Sequence, residues 1–300
     1  MEKPDISVVI PTYNRVESLL KTLDLLAVQT YPCTRFEVVV VDDGSTDDTG
    51  PAVSAARAKY PYHLSYLGQR NAGPAAARNT GISAARSDII LFIGDDILPA
   101  ANLVECHIRS HKKFPGTAVL GMVEWPPDDI EITDFMRYLA PEGPQFRFLS
   151  IKDPMDCGFR RFYTSNISLG RKWFQDDLFD KEFPFAGFED TDLGYRLERK
   201  GLKIIFDKDA IGYHRHAITL DSYLARIRLS GISGEIFKRK HPEVARVALP
   251  VNITLAKTVF YPLRSLGFVM KHLSKRLYWF SLLVASYIEG MEEGMRRLDG

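Results

Sequence analysis

The chain has 300 residues, 45% of them hydrophobic and 26% charged. That is ordinary for a globular protein and enough for one large domain, or a domain with an appendage. A formal net charge of +1 excludes a global attraction to nucleic acid, so any basic site must be local.

Cys33, Cys106 and Cys157 are the only cysteines and form no CxxC pair, which argues for free thiols in a reducing cytoplasm rather than a disulfide framework. The opening "MEKPDISVVIPTYNR" carries no long apolar segment of the signal-peptide kind, so the sequons at Asn166 and Asn252 are set aside. No stretch approaches the ~18 uncharged apolar residues of a membrane span.

In chain order, "ISVVIPTYN" is an apolar run ended by Pro11 and predicts a buried strand. Residues 15–28 space Val16, Leu19, Leu20, Leu23, Leu26 and Ala27 as one face of a helix. "FEVVVVDDGSTDDT" predicts a strand from Phe36 to Val41, broken by Asp42-Asp43-Gly44, with a helix over 49–59. "HLSYLGQ" is a short strand, "GPAAARNTGISAA" a helix with Pro74 in its first turn, and "DIILFIG" a fourth strand. This βαβ rhythm predicts a mostly parallel, doubly wound α/β sheet flanked by helices. Further on come a strand at 118–125, loops with a short helix near 131–139, a strand from Phe162 to Leu169, a helix over about 188–200 stopped by Gly201, and a strand in "KIIFDKDAIGYHRH". After about residue 220 the chain reads as helical, which gives a domain at 1–220 and an extension at 221–300. From Val251 to Ile288 there is no acid, but there are five basic residues and an apolar helical face.

In sheets of this class ligands bind beyond the carboxyl ends of the strands. Thr12-Tyr13, Asp42-Asp43 and Asp95-Asp96 all fall there. An adjacent carboxylate pair suits a divalent cation bridging to phosphate, or is a solvated turn. A carboxylate at Asp42-Asp43 suits a ribose hydroxyl or a base N–H. No GxGxxG or P-loop motif is present, which leaves the phosphates to other groups, a metal among them. His214 and His216 alternate at the end of a strand and suit a metal or a diphosphate. Glu189, Asp190 and Asp192 crowd a helix start, where the dipole favours acids; alternatively, one is a general base. Glu189 and Asp190 point about 100° apart on a helix, so only one faces a given ligand.

With these residues assembled, the chain resembles the family 2 glycosyltransferases of GT-A, Rossmann-like fold. The resemblance rests on "SVVIPTYNR", "VVVVDDGSTDDT", "NAGPAAARNTGI", "FIGDDI" and "GFEDTDLGYRL", in the family's order, and covers residues 5–216. It implies inverting transfer of a sugar from a nucleoside-diphosphate donor, with uridine as the base and thymidine and guanosine left open, to an acceptor hydroxyl in cell-surface glycan synthesis. It implies that Pro11, Thr12, Tyr13 and Asp43, with Asp42 beside them, line the nucleoside pocket. Asn71, Ala72, Gly73 and Arg78 would lie near the nucleotide and donor sugar. Asp190 would be the catalytic base, with Glu189 beside it and Asn166 near the acceptor. Asp95 and Asp96 match the family's Asp-x-Asp metal motif except that Gly94 stands at its first position. The resemblance then implies that Asp96 is the direct ligand of Mn²⁺ or Mg²⁺ with His214, 24 residues after Asp190, and that Asp95 meets the donor sugar or acts through water.

A nucleotidyltransferase is the rival of similar chemistry, but "PTYNRVES" is not its Gly- and Arg/Lys-rich loop. A non-catalytic sugar-nucleotide or glycan-binding scaffold is the rival of another class. The tail reads equally as a basic amphipathic helix on an anionic membrane, which suits a lipid-linked acceptor at the inner membrane face, or as a helical cap or homodimer interface.

Overall fold

Strand β1 (Ile6–Thr12) and strand β2 (Phe36–Asp42) are the two expected apolar runs, and nearly every side chain in them is buried. Strands covered by helices on both faces have no need to alternate. The computed structural model that shows this describes residues 2–141, 143–248, 258, 272 and 274–299. Helix α1 (Val16–Leu26) follows β1, helix α2 (Thr49–Ala56) follows β2, and helix α3 (Gly73–Ala84) follows strand β3 (His63–Gly68). Strand β4 (Ile89–Ile93) completes the parallel set, with β1 lying between β2 and β4.

Beyond β4 the sheet becomes mixed. Strand β5 (Ile97–Pro99), helix α4 (Leu103–Lys113), strand β6 (Ala118–Glu124), helix α5 (Asp134–Leu139), strand β7 (Asn166–Gly170), helix α6 (Glu189–Arg199) and strand β8 (Ile204–His214) follow in turn. The described strands form one eight-stranded sheet in the order β3-β2-β1-β4-β7-β6-β8-β5. Strand β7 runs antiparallel to both β4 and β6, and β5 runs antiparallel to β8. The strand expected from Phe162 starts instead at Asn166, after a turn of 3₁₀ helix at Phe159–Arg161. Two elements were not expected at all. Strand β5 has three residues and exists through its pairing with β8. Helix α4 buries His107, Ser110 and His111 with its apolar residues, so its inward face carries no clean apolar period.

The chain divides into two compact units, Met1–Lys181 with Asp190–Ala217, and Glu182–Glu189 with Ile218–Gly300. The segment Glu182–Glu189, expected within the first domain, therefore groups with the second unit. That unit contains helix α7 (Leu220–Lys240), the short helix α8 (Ala245–Ala248) and helix α9 (Lys275–Asp299). A capping box starts α7, with Ser222 N donating to Thr219 Oγ1 and Thr219 N donating to Ser222 Oγ, both at 3.2 Å. The basic stretch singled out at 251–273 lies outside the described residues except for positions 258 and 272. Among the described residues no helix is long and apolar enough to cross a membrane.

Helices α7 and α9 meet backbone to backbone. A Cβ on Gly290 would stand 1.9 Å from the Arg228 carbonyl oxygen, and one on Gly231 would stand 2.2 Å from that of Tyr287. In an exposed helix Gly→Ala gains about 1 kcal/mol of propensity. Here the crossing must open, at about 1–3 kcal/mol, and the sign reverses. We expect Gly290→Ala to lower the urea unfolding midpoint followed by far-UV circular dichroism; a variant as stable as the native chain rejects the close crossing.

Candidate active site

Strand β4 ends at Ile93, Gly94 and the carboxylate pair follow, and the pairing of β5 with β8 decides what that pair meets. Ile97 pairs with His214, and Arg215 N donates to Asp96 O at 2.8 Å. Asp96 Oδ2 thus lies 3.4 Å from His214 Nε2. On the other side Thr12 Oγ1, at the end of β1, donates to Asp95 Oδ2 at 2.8 Å. Arg15 Nη1 donates to Asp96 Oδ2 and lies 3.4 Å from Asp95 Oδ1. Burial, and then the neighbouring Asp96 charge, push Asp95 up to about 7. Burial acts on Asp96 in the same direction, but His214 and Arg15 together outweigh it and hold that carboxyl well below its ordinary range. A Cβ at position 94 would stand 2.7 Å from Asp96 Oδ1 and 3.3 Å from Ile97 Cγ1. Glycine at this departure from the Asp-x-Asp pattern therefore leaves room for the Asp96 carboxylate.

The acids after β2 turn toward the protein. Asp42 accepts from Ser45 N at 2.7 Å and from the Tyr66 hydroxyl. Asp43, 5% exposed, accepts from Gln69 Nε2 at 2.7 Å, Ala72 N at 2.9 Å and Gly73 N at 2.8 Å. It ties the start of α3, where the helix dipole favours an anion, to the end of β2. Pro11 is half-buried, Tyr13 is 47% exposed and Asn71 is exposed at the same edge.

Three acids begin α6, and their partners separate them. Glu189 Oε2 accepts from Gly187 N at 2.6 Å. Asp192 is buried and pairs with Arg196 one turn on, at 2.8 Å. Asp190 accepts from Thr164 N at 2.9 Å and from Thr164 Oγ1 at 2.8 Å, with Arg78 Nη1 3.7 Å from its Oδ1. Arg78 lies over the Phe179 ring, 5.4 Å from its centroid. The Asn79 amide holds the Phe179 backbone at both ends, through bonds of 2.8 and 2.9 Å. A held but half-buried carboxylate of this kind is suited to accepting a proton.

Asn166, expected near the acceptor, has its side chain turned into the sheet. It is fully buried, and its Nδ2 donates to Met122 O at 2.9 Å and Ala210 O at 2.8 Å. These bonds span the register shift between β6 and β8. Its Oδ1 faces His107 Nε2 at 2.9 Å, while Ser168 Oγ lies 2.8 Å from both His107 Nδ1 and His111 Nε2. The Asn166 oxygen only accepts, so the neutral His107 carries its proton on Nε2 and its Nδ1 accepts a hydrogen bond from the Ser168 hydroxyl.

Burial holds both imidazoles down at about 4, His107 adding to the effect on His111. Unfolded histidines titrate near 6.5, so between pH 6.5 and 4 the unfolded chain binds protons that the folded chain refuses. Stability is complete above that window and is lost as pH falls through it. Between pH 7 and pH 5 each histidine removes about 2 kcal/mol. His111→Gln is expected to lose about that much less than the native chain in urea unfolding at the two pH values, a comparison that cancels every other titrating group. Equal losses reject the neutral pair.

The site's donors suit a hard divalent cation. Among the described residues no three carboxylate, imidazole or thiolate side chains converge as a protein-only metal cage. Asp96 Oδ2 and His214 Nε2 nevertheless lie 3.4 Å apart, and Mg²⁺-type sites take one or two carboxylates with substrate phosphates and water completing the shell. Sequence reasoning assigned no role to Arg15, Thr164, Asn79 or Trp125. Arg15 was signalled only as a cation just past β1, and Thr164 carried no signal.

The family model of Glycosyl transferase family 2 matches residues 7–169. Validoxylamine A glucosyltransferase of Streptomyces hygroscopicus subsp. jinggangensis is 30% identical over 266 residues, covering 80% of this chain and 62% of that protein. Hyaluronan synthase of Pasteurella multocida is 27% identical over 278 residues, covering 82% of this chain and 28% of that protein. The chain spans about six-tenths of the length of the validoxylamine glucosyltransferases it matches. Among solved structures, the mannosyltransferase PcManGT from Pyrobaculum calidifontis in complex with GDP-Man and Mn²⁺ superposes with a TM-score of 0.68 at 20% identity, over 98% of this chain and 88% of that one. Staphylococcus aureus TarS in complex with UDP-GlcNAc superposes at 0.54 with 18% identity, over 97% and 92%. These two likenesses concern the fold, which is GT-A. With the family match spanning more than half of its length, the chain belongs to glycosyltransferase family 2.

Proposed function

We propose that this chain is an inverting glycosyltransferase that moves a sugar from a nucleoside-diphosphate donor to an acceptor hydroxyl. The observation that supports this most is the meeting of Asp96 and His214 at the sheet edge, in a chain that also holds the Asp190 carboxylate on Thr164.

Asp190 takes the acceptor's hydroxyl proton while that oxygen attacks the anomeric carbon. The new C–O bond forms as the bond to the diphosphate breaks, and the electron pair leaves with the β-phosphate oxygen. Thr164 N–H and O–H hold the Asp190 carboxylate in place, and Arg78 opposes its charge. Arg15 brings a further positive charge to the edge where the diphosphate departs. Asp96 and His214 would hold a divalent cation, Mn²⁺ or Mg²⁺, which when bound supplies Lewis-acid stabilisation of the leaving diphosphate. The Mn²⁺ in the solved mannosyltransferase complex supports this assignment. Pro11, Thr12, Tyr13 and the loop fixed by Asp43 would form the nucleoside pocket, with Asn71, Gly73 and Arg78 toward the donor sugar.

The proposed donor is uridine-linked, supported by TarS bound to UDP-GlcNAc, with the GDP-Man complex as the competing precedent. The proposed acceptor is a glycan or lipid-linked glycan of the cell surface, at the cytoplasmic face of the membrane. The acid-free basic stretch in 251–288 supports peripheral attachment there, and co-sedimentation with anionic liposomes tests it. The function itself is tested by calorimetry with a panel of nucleotide sugars and Mn²⁺, repeated with a chelator. Binding of one donor that weakens at least tenfold with chelator is expected. Binding of none overturns the reading in favour of a scaffold.

A further inference from the structure

His214 presents an unusual combination. Its Nε2 faces Asp96 at 3.4 Å, while its Nδ1 is buried with no hydrogen-bond partner among the described residues. A histidine that binds metal through one nitrogen ordinarily has its ring plane fixed by a hydrogen bond from the other, to a carboxylate, carbonyl or water. Among the described residues nothing of that kind fixes this ring. It instead has near-parallel rings beside it. The Trp125 indole lies parallel to it within 14°, with centroids 5.4 Å apart, and His216 lies on it within 12° at 5.9 Å. Phe146 meets it edge-on, 74° away in plane, at 6.3 Å.

The Trp125 ring is itself anchored. Its Nε1–H points at two carbonyl oxygens, Met136 O at 3.0 Å and Ala140 O at 3.1 Å, at the C-terminal end of α5. Thr133 caps that helix at its start through Met136 N. The indole thus stands at the end of β6 with its plane set by a helix from the following loop. The near-parallel His214 ring stands beside it at the end of β8.

We infer that Trp125 is the positioning residue of His214, setting by ring stacking the imidazole plane that a hydrogen bond sets in other metal-binding histidines. The inference rests on the reading that Asp96 and His214 hold a divalent cation. Loss of an outer partner of a metal ligand typically weakens the metal about 10–100-fold. Trp125→Leu removes the flat face, whereas Trp125→Phe keeps a smaller flat face and loses the N–H and the second ring.

The test is Mn²⁺ binding by the full chain, read from the free-ion electron paramagnetic resonance signal and independent of turnover. The variants are Trp125→Leu, Trp125→Phe, His214→Ala and the Leu–Ala double substitution. Trp125→Leu is expected to raise the dissociation constant at least about tenfold and Trp125→Phe about threefold or less. The double variant should bind no more weakly than His214→Ala, because a plane with no ring to set has no effect. A general structural role would instead add its loss to that of His214→Ala. Native-like affinity in Trp125→Leu, or full additivity, overturns the inference while leaving the metal site standing. Native-like affinity in His214→Ala overturns the metal reading and the inference with it. Trp125→Met, which fills the volume without a flat face, replaces the leucine variant if that one does not fold.

Discussion

Asp190→Asn is expected to lower the rate of sugar transfer about 10³-fold, within the range lost with a positioned general base, and to leave donor binding within about twofold. The two halves of that result have different causes. The amide has no basic lone pair for the acceptor's proton, so the transition state loses its proton sink. The donor loses little, because the amide oxygen can still accept from Thr164 N, which now sets the carboxylate at 2.9 Å. Removal of one charge also frees Arg78, 3.7 Å away, to neutralise the diphosphate more fully. Single-turnover transfer and calorimetric donor affinity, measured on the same preparation, separate the effects. Turnover within about tenfold of the native chain sinks the assignment of the base, and Glu189 does not inherit the role. Its carboxylate is almost wholly buried and accepts from its own loop at Gly187 N.

Asp96→Asn is the second large effect. Transfer is expected to fall at least about 10²-fold, and the chelator-sensitive part of donor affinity should disappear. The fold should survive, because two changes oppose each other. Arg15 loses one of its two carboxylate partners, whereas Asp95 is relieved of the like charge that, after burial, pushes its carboxyl upward. Thermal unfolding without added metal should therefore shift by only a few degrees. Unchanged chelator sensitivity in the variant rejects Asp96 as a ligand. A collapse of the fold would instead show that the Arg15–Asp96 pair is chiefly structural.

The local code carried much of this protein. Unbroken apolar runs such as Phe36 to Val41 predict strands buried on both faces, because burial of the whole run is the only arrangement that removes it from water. Carboxylates placed directly after such runs, at Asp42-Asp43 and Asp95-Asp96, predict the edge where ligands bind, since a parallel sheet directs all its strand ends one way. Family membership was also legible, because it is carried by short motifs within 5–216 that keep their order in the sequence. What remained hidden needed contacts between residues distant in the chain. The antiparallel insertion of β7 between β4 and β6 and the three-residue strand β5 come from pairing rather than propensity. Helix α4 escaped notice because its buried face holds two histidines and a serine, which only the polar side of Ser168 and Asn166 makes tolerable. The same reason turned the Asn166 side chain, expected near the acceptor, into the sheet. By itself the sequence determined the strand runs, the acidic edge and the family. Tertiary structure alone decided that Asp96 faces His214 and Arg15, that Asp190 rather than Glu189 or Asp192 leans on Thr164 and Arg78, and that Trp125 stacks on His214. Side-chain chemistry is local, but a partner's distance is set by the packing of the whole sheet.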